Sequence, residues 1–292
     1  MGSRWFERGR VLGFAALISS LYSTTAISAD AVSSFDEGRL PAVDGLNGKL
    51  DFSYLNFDTS ASADDVGGGV VIGSLSTPIG EQFGFQVDVG FGNFDGSNAA
   101  PDIDTFGIGG HLFTRDPDVG LLGIYGDYVE LDFGAVDVSS IQVGVEAEFY
   151  LDQVSLEAFV GSNTVEAGAN DQTFASLDFT VGYYVNDDFR IEGGVTREFN
   201  QTVGSVGFET ILPTDDNNLS VYANASFGDD QESVRAGVRV YLGQSTKSLK
   251  DRHRQDDPFE RLFDFNSLVL EEVLFGIQPI TMCGEGSGYS CT

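Results

Sequence analysis

Between residues 49 and 242 the chain alternates apolar and polar residues with a period of two, and nothing else in it restricts the fold as strongly. The clearest run sets Phe83, Phe85, Val87, Val89 and Phe91 on one face and Gly84, Gln86, Asp88 and Gly90 on the other. Another sets Ile141, Val143, Val145, Ala147 and Phe149 against Gln142, Gly144, Glu146 and Glu148. Successive strand side chains point to opposite sides, so each run is a strand with one apolar and one polar face. In a soluble sandwich the apolar faces meet in a core. In a membrane barrel they face lipid, and the polar faces line the lumen.

The start of the chain favours the membrane. Arg4, Arg8 and Arg10 precede an apolar run over 11–21, and Ala29-Asp30-Ala31 supplies a small-residue cleavage site. The run is too short for a spanning helix, which takes about twenty apolar residues. Residues 1–29 therefore read as a secretory signal peptide, followed by an N-terminal periplasmic segment over 30–45. No later segment is apolar enough for a transmembrane helix. A soluble secreted sandwich stays open as the alternative.

The pattern divides into about twelve strands, near 49–57, 69–77, 83–92, 103–113, 121–131, 140–151, 154–161, 174–185, 189–199, 202–212, 219–227 and 233–242. The fifth has an ambiguous register and room for a bulge. Most have the nine to eleven or so residues that a tilted strand needs to cross a bilayer. Connections after even strands are tight, as at Pro78-Ile79-Gly80 and Asp152-Gln153. Those after odd strands are mostly longer and rich in Gly, Ser, Ala and Asp, as over 58–68, 93–102 and 162–171. Short periplasmic turns and longer outside loops are what an outer-membrane barrel shows. The expected fold is all-β: an antiparallel up-and-down transmembrane β-barrel over 46–242, with a short C-terminal periplasmic helical tail.

In this pattern the chain resembles bacterial outer-membrane β-barrels of the porin-like kind. The resemblance covers the leader and the barrel region and is one of pattern. Arg235, Gly237, Val240 and Leu242 on the last strand also resemble the signal read by barrel-assembly machinery, which implies that machinery as a partner alongside outer-membrane lipid. That signal usually carries an aromatic where Val240 stands and ends the chain, whereas this chain continues for about fifty residues. The single Trp lies in the leader, so Tyr and Phe would supply any aromatic girdle. The resemblance implies a location in the bacterial outer membrane.

Composition sets further bounds. A net charge of −30 excludes nucleic-acid binding through phosphate neutralisation and favours attraction of cations. With 37 Gly, 12% aromatics and a mean hydropathy near zero, the chain averages a lipid-facing surface with a wet one.

Beyond the strands, 243–257 reads as a charged linker and 258–292 as a C-terminal helix and disulfide loop. Asp257-Pro258-Phe259-Glu260 has the form of a helix start, and Phe259, Leu262, Phe263, Leu270, Val273 and Leu274 make a partial apolar stripe. That stripe needs cover, from the periplasmic mouth of the barrel, from a periplasmic partner docking on 258–276, or from the lumen as a plug. Cys283 and Cys291 are expected to close one short disulfide loop.

No motif for an enzyme, a metal or a cofactor stands out. His111 is the only barrel histidine, and a lipid-acting hydrolase built on it has no assignable serine or acid partner. The lumen is more informative. The inward face is expected to carry Lys49, Asp51, Asp88, Glu146, Glu148, Glu157, Asp178, Arg190, Glu192, Glu198, Arg235 and Arg239. Acids on strands 6 to 8 would face bases on strands 12 and 1, giving either a field across the bore or pairing inside a filled barrel. The function expected is a non-enzymatic channel for passive diffusion of small polar solutes or ions, with mild cation preference. A closed structural or adhesive barrel is the alternative.

Overall fold

The structure, a computed structural model, describes residues 40–59, 66–96, 102–134, 137–168, 170–228, 231–243 and 246–264. Twelve strands run in chain order: β1 (Asn47–Thr59), β2 (Val66–Ile79), β3 (Phe83–Gly96), β4 (Ile103–Asp116), β5 (Gly120–Asp132), β6 (Asp137–Leu151), β7 (Val154–Ala167), β8 (Asn170–Asn186), β9 (Phe189–Glu198), β10 (Gln201–Ile211), β11 (Leu219–Gly228) and β12 (Gln231–Tyr241). Each pairs antiparallel with its sequence neighbours. β1 pairs with β12 from Lys49↔Tyr241 through Thr59↔Gln231, so the barrel is closed and has no free edge.

The outer wall is apolar all round. Phe52, Tyr54, Phe85, Ile108, Ile124, Val143, Val160, Phe179, Val206 and Val234 all stand exposed, and with Val71, Ile191 and Phe227 such residues occur on every one of the twelve strands. Buried polar groups lie inside: Asp51, Gln86, Asp88, His111, Asn163 and Ser220 are almost wholly shielded. An apolar belt of this extent cannot face water, and a closed barrel turned inside out in this way is built for lipid.

Four expectations need correction. First, β1 to β8 are longer than a bilayer needs, from 13 residues in β1 to 17 in β8, while β9 to β12 keep the expected length. Most of the expected loop over 162–171 is ladder: Ser162 pairs with Val143 and Ala175, and Ala167 pairs with Asn170. Gly, Ser and Asn at these positions were poor guides because hydrogen bonding between strands, not residue type, carries a hairpin past the lipid. The contrast of loop lengths is correspondingly weaker, and the seven residues 212–218 connecting β10 to β11 are the longest turn on their rim. Second, β5 pairs without a bulge on either side, while an irregularity lies between Tyr184 and Asn186 on β8. The fifth strand looked ambiguous because both its faces are apolar: Leu121, Tyr125, Val129 and Leu131 point inward, and Leu122 and Ile124 outward.

That inward apolar face leads to a third difference. Toward the rim formed by the β1–β2, β3–β4 and β5–β6 connections, here the far rim, the lumen is not polar. Leu55, Phe57, Val70, Phe94, Ile103, Val129, Leu131, Val138, Val165, Phe174, Phe199 and Val203 form one buried cluster there. A twelve-stranded bore is narrow enough for side chains to fill.

The expected linker and helix exchange places. One helix is described, α1 (Leu249–Gln255), inside the stretch read as a linker. Ser248 caps it by accepting from the Asp251 backbone N–H at 3.1 Å. Its long cationic side chains grip turns of the near rim: Lys250 meets Asp187 at 2.6 Å, and Arg252 and Arg254 donate to the carbonyls of Asn217 and Val154 at 3.0 and 3.1 Å. Residues 257–261 are not helical, and 262–264 form a turn. Asp257 and Glu260 do not cap a helix because both pair with Lys49 instead. The segment 257–264 runs into the lumen, where Leu262 and Phe263 join the far-rim apolar cluster. Burying two such side chains contributes roughly 1.5–3 kcal/mol each. The remainder of the expected helix, Cys283, Cys291 and the leader over 1–29 lie outside the described residues.

Candidate functional site in the lumen

All twelve of the charged positions singled out from the sequence stand on the inner face, because their strand parity is opposite to that of the lipid-facing residues. They do not form two opposed walls of charge. On β1 and β12, Asp51 receives Arg235 at 3.3 Å and Arg239 at 3.0 Å, and also accepts from Tyr222 Oη at 2.9 Å. Arg239 also pairs with Glu209. Across the bore, Arg190 pairs with Glu157 at 2.8 Å and with Glu192 at 3.1 Å. Each wall thus holds both signs. Glu148 accepts from Tyr150 Oη at 2.7 Å and from the Phe259 backbone N–H at 3.2 Å. Glu198 is held by neutral donors, Gln142 Nε2 at 2.8 Å and Asn163 Nδ2 at 3.2 Å.

The remaining pairs involve the tail. Lys49 binds Asp257 and lies 3.4 Å from Glu260. Arg261 lies 3.7 Å from both Glu146 and Asp178. Asp264 reaches Arg235 at 4.0 Å. Charged burial is tolerated when ions are paired, and the tail supplies partners that the wall lacks. The side chains of Pro258, Glu260, Arg261, Leu262 and Phe263 are buried in the barrel. This part of 258–276 is therefore not displayed to a periplasmic partner. At the near rim, Asp256 pairs with Lys247, and burial pushes its carboxyl up to about 6.

His111 on β4 lies between two carboxylates, with Nε2 at 3.2 Å from Asp88 and Nδ1 at 2.9 Å from Glu146. Nδ1 makes hydrogen-bond contacts with Glu146, whereas Nε2 faces Asp88 at ion-pair distance without hydrogen-bond geometry. The carboxylate partners were among the candidate residues, but only the register brings them to the ring. Glu209, Arg252, Arg254 and Arg261 were missed. The one sequence signal that could have placed the helix is Ser248-Leu249-Lys250-Asp251, a capping pattern opening a basic segment.

The tail touches the wall through Lys49 on β1, Glu146 on β6, Phe159 on β7, Asp178 on β8 and Arg235 on β12, and its apolar end packs on β3 and β4. A cavity of about 180 Å³ remains beside β8–β12, lined by Thr196, Ser205, Asn224, Ser226 and Ser233 among others. Its lining extends from Tyr150 and Ser155 near one rim to Ser226 and Ser233 near the other, with the tail residues Phe259, Arg261, Phe263 and Asp264 as its inner boundary.

No protein-family model matches the chain, and no curated protein matches it either. Solved structures do. The translocator domain of the autotransporter NalP from Neisseria meningitidis superposes with a TM-score of 0.52 at 12% identity, covering 79% of this chain and 97% of that one. An outer-membrane channel from Pseudomonas putida F1 superposes with a TM-score of 0.52 at 11% identity, covering 72% of this chain and all (100%) of that one. The chain has the fold of an outer-membrane β-barrel. In this outer-membrane barrel the lipid-facing belt, the closed β1–β12 seam and the polar inner positions are one design. The tail occupies its bore, and the far half of its lumen is apolar.

Proposed function

We propose that the protein is a porin-like, non-enzymatic channel of the bacterial outer membrane. Small polar solutes or ions pass by diffusion beside β8–β12, and residues 257–264 narrow the bore. The observation that carries this reading is the cavity, lined by polar and apolar groups in about equal measure, that follows one wall of the barrel along most of its height. One of the superposing structures is itself an outer-membrane channel. The near rim, where α1 lies, faces the periplasm in this reading, to which the leader directs the chain. β12 serves as the element that barrel-assembly machinery reads.

Cation preference follows from the lining. Nine acidic side chains border the cavity (Glu148, Glu157, Asp178, Glu192, Glu198, Glu209, Asp257, Glu260 and Asp264), against five Lys or Arg (Lys49, Arg190, Arg235, Arg239 and Arg261). An excess of acid in a confined low-dielectric bore raises the local concentration of cations. The paired charges and the apolar far half favour a second reading, a closed structural barrel. Conductance in planar bilayers decides between them. The full chain should give small discrete steps, and a chain ending after Leu242 should give larger ones. If both are silent while migrating on gels as folded barrels, the channel reading fails and the closed barrel stands.

A further inference from the structure

Three inward residues on adjacent strands stand in one row. Glu146 on β6 pairs in register with Phe159 on β7, and Phe159 pairs with Asp178 on β8. With strands about 4.8 Å apart, the row sets an aromatic ring between two carboxylates roughly 10 Å from each other. The guanidinium of Arg261 lies over this row. Its carbon is 4.6 Å from the centre of the Phe159 ring, its Nε is 3.7 Å from Glu146, and one terminal nitrogen is 3.7 Å from Asp178. A cation over a ring and flanked by carboxylates is the arrangement that recognises a planar organic cation.

We propose that Glu146, Phe159 and Asp178 form a binding site for guanidinium-bearing organic cations in the lumen wall, and that Arg261 fills it in place of a solute. The proposal rests on the channel reading and names its solute class. Two further observations support it. All three residues belong to the wall, and wall partners hold the two acids from behind, Glu146 by His111 and Asp178 by Thr196. Arg261 also fits the row imperfectly. At 3.7 Å both contacts exceed the usual hydrogen-bond range of about 2.7–3.2 Å. Arg261 is 6% exposed, yet its Nε finds no hydrogen-bond partner, nor does Asp178 Oδ1. A free guanidinium, not held by the chain that carries Leu262 and Phe263, can settle closer to both acids.

The test measures agmatine binding by equilibrium dialysis, with the full-length protein in lipid nanodiscs. A tethered Arg261 competes at an effective concentration on the order of millimolar, so emptying the row should tighten agmatine binding by about ten-fold or more. Arg261→Ala is the first variant. Arg261→Met, which keeps the stem volume against Phe159, replaces it if alanine prevents closure of the barrel on heat-modifiable gels. Adding Asp178→Asn or Phe159→Leu to either variant should remove that gain, and the uncharged analogue butylurea should not compete. Equal agmatine affinity for the unaltered chain, the Arg261 variants and the combined variants overturns the site. The readout is binding, so silent bilayers would defeat the channel reading without deciding this one, and agmatine indifference would defeat this one in a conducting channel.

Discussion

The ring of Phe263 occupies the place where Gly90 would carry a β-carbon: a carbon built there would lie 2.2 Å from Phe263 Cε2. A β-carbon built on Gly107, directly opposite Gly90 on the next strand, would lie 2.8 Å from the same ring and 2.9 Å from Leu262. Two inward glycines in register thus make a slot in the wall, and the tail fills it.

Gly90→Ala should unseat the ring. Overpacking of this kind costs about 1–3 kcal/mol, and here the cost falls on docking of the tail, since the ladder of β3 is untouched. The expected result is a barrel that closes normally and conducts more than the unaltered chain. Unchanged step size together with unchanged protease protection of the tail would contradict the slot.

Lys49→Met should loosen the tail from its other end. The substitution leaves Asp257 and Glu260 buried without their cation, and breaking a buried pair in this way costs about 3–5 kcal/mol. Trypsin cleavage after Arg261, followed by mass spectrometry, should accelerate strongly while the strands stay resistant. A cleavage rate equal to that of the unaltered chain would show that the pair does not hold the segment.

Acid should favour closure. Asp256 faces Lys247, Arg252 and Asp257, and burial raises its carboxyl from the ordinary 3.8 to about 6. On release from the rim it regains the ordinary value, so the docked form binds the proton more tightly. Docking therefore strengthens as pH falls from about 6 toward 4 and is weakest above 6. Conductance at pH 5 should be lower than at pH 7.5, and Asp256→Asn should flatten the difference. A rise in conductance on acidification would reverse this assignment.

Selectivity should follow the lining charges in both directions. Arg235→Gln removes a base from the cavity wall and should move the reversal potential in a salt gradient toward greater cation preference. Glu192→Gln should move it the other way. Shifts of the same sign in both variants would exclude the cavity as the conducting path.

What the sequence made readable follows from what each face touches. Phe83, Phe85 and Phe91 alternate with residues of another kind because lipid lies on one side of β3 and the filled lumen on the other. β5 loses that contrast where the lumen itself is apolar, and its parity becomes legible only through its ladders with β4 and β6. The apolar stripe of Phe259, Leu262 and Phe263 did signal a buried surface. Its helical spacing misled, since Phe259 lies near Arg190 and Arg261 while Phe263 enters the glycine slot. Gly90 and Gly107 are 17 positions apart, and only the β3–β4 register turns them into a slot. α1 was hidden for a different reason. Its buried residues are Leu249 and an arginine that snorkels to a turn carbonyl, so no amphipathic period marks it.

The seat of the tail is assembled from Lys49 on the first strand, the glycines of the third and fourth, Glu146 on the sixth, Asp178 on the eighth and Arg235 on the last. No partial hairpin offers that combination. Insertion of 257–264 therefore belongs after the seam between β1 and β12 has zipped shut, which makes the occupied bore a built-in certificate that the cylinder was finished.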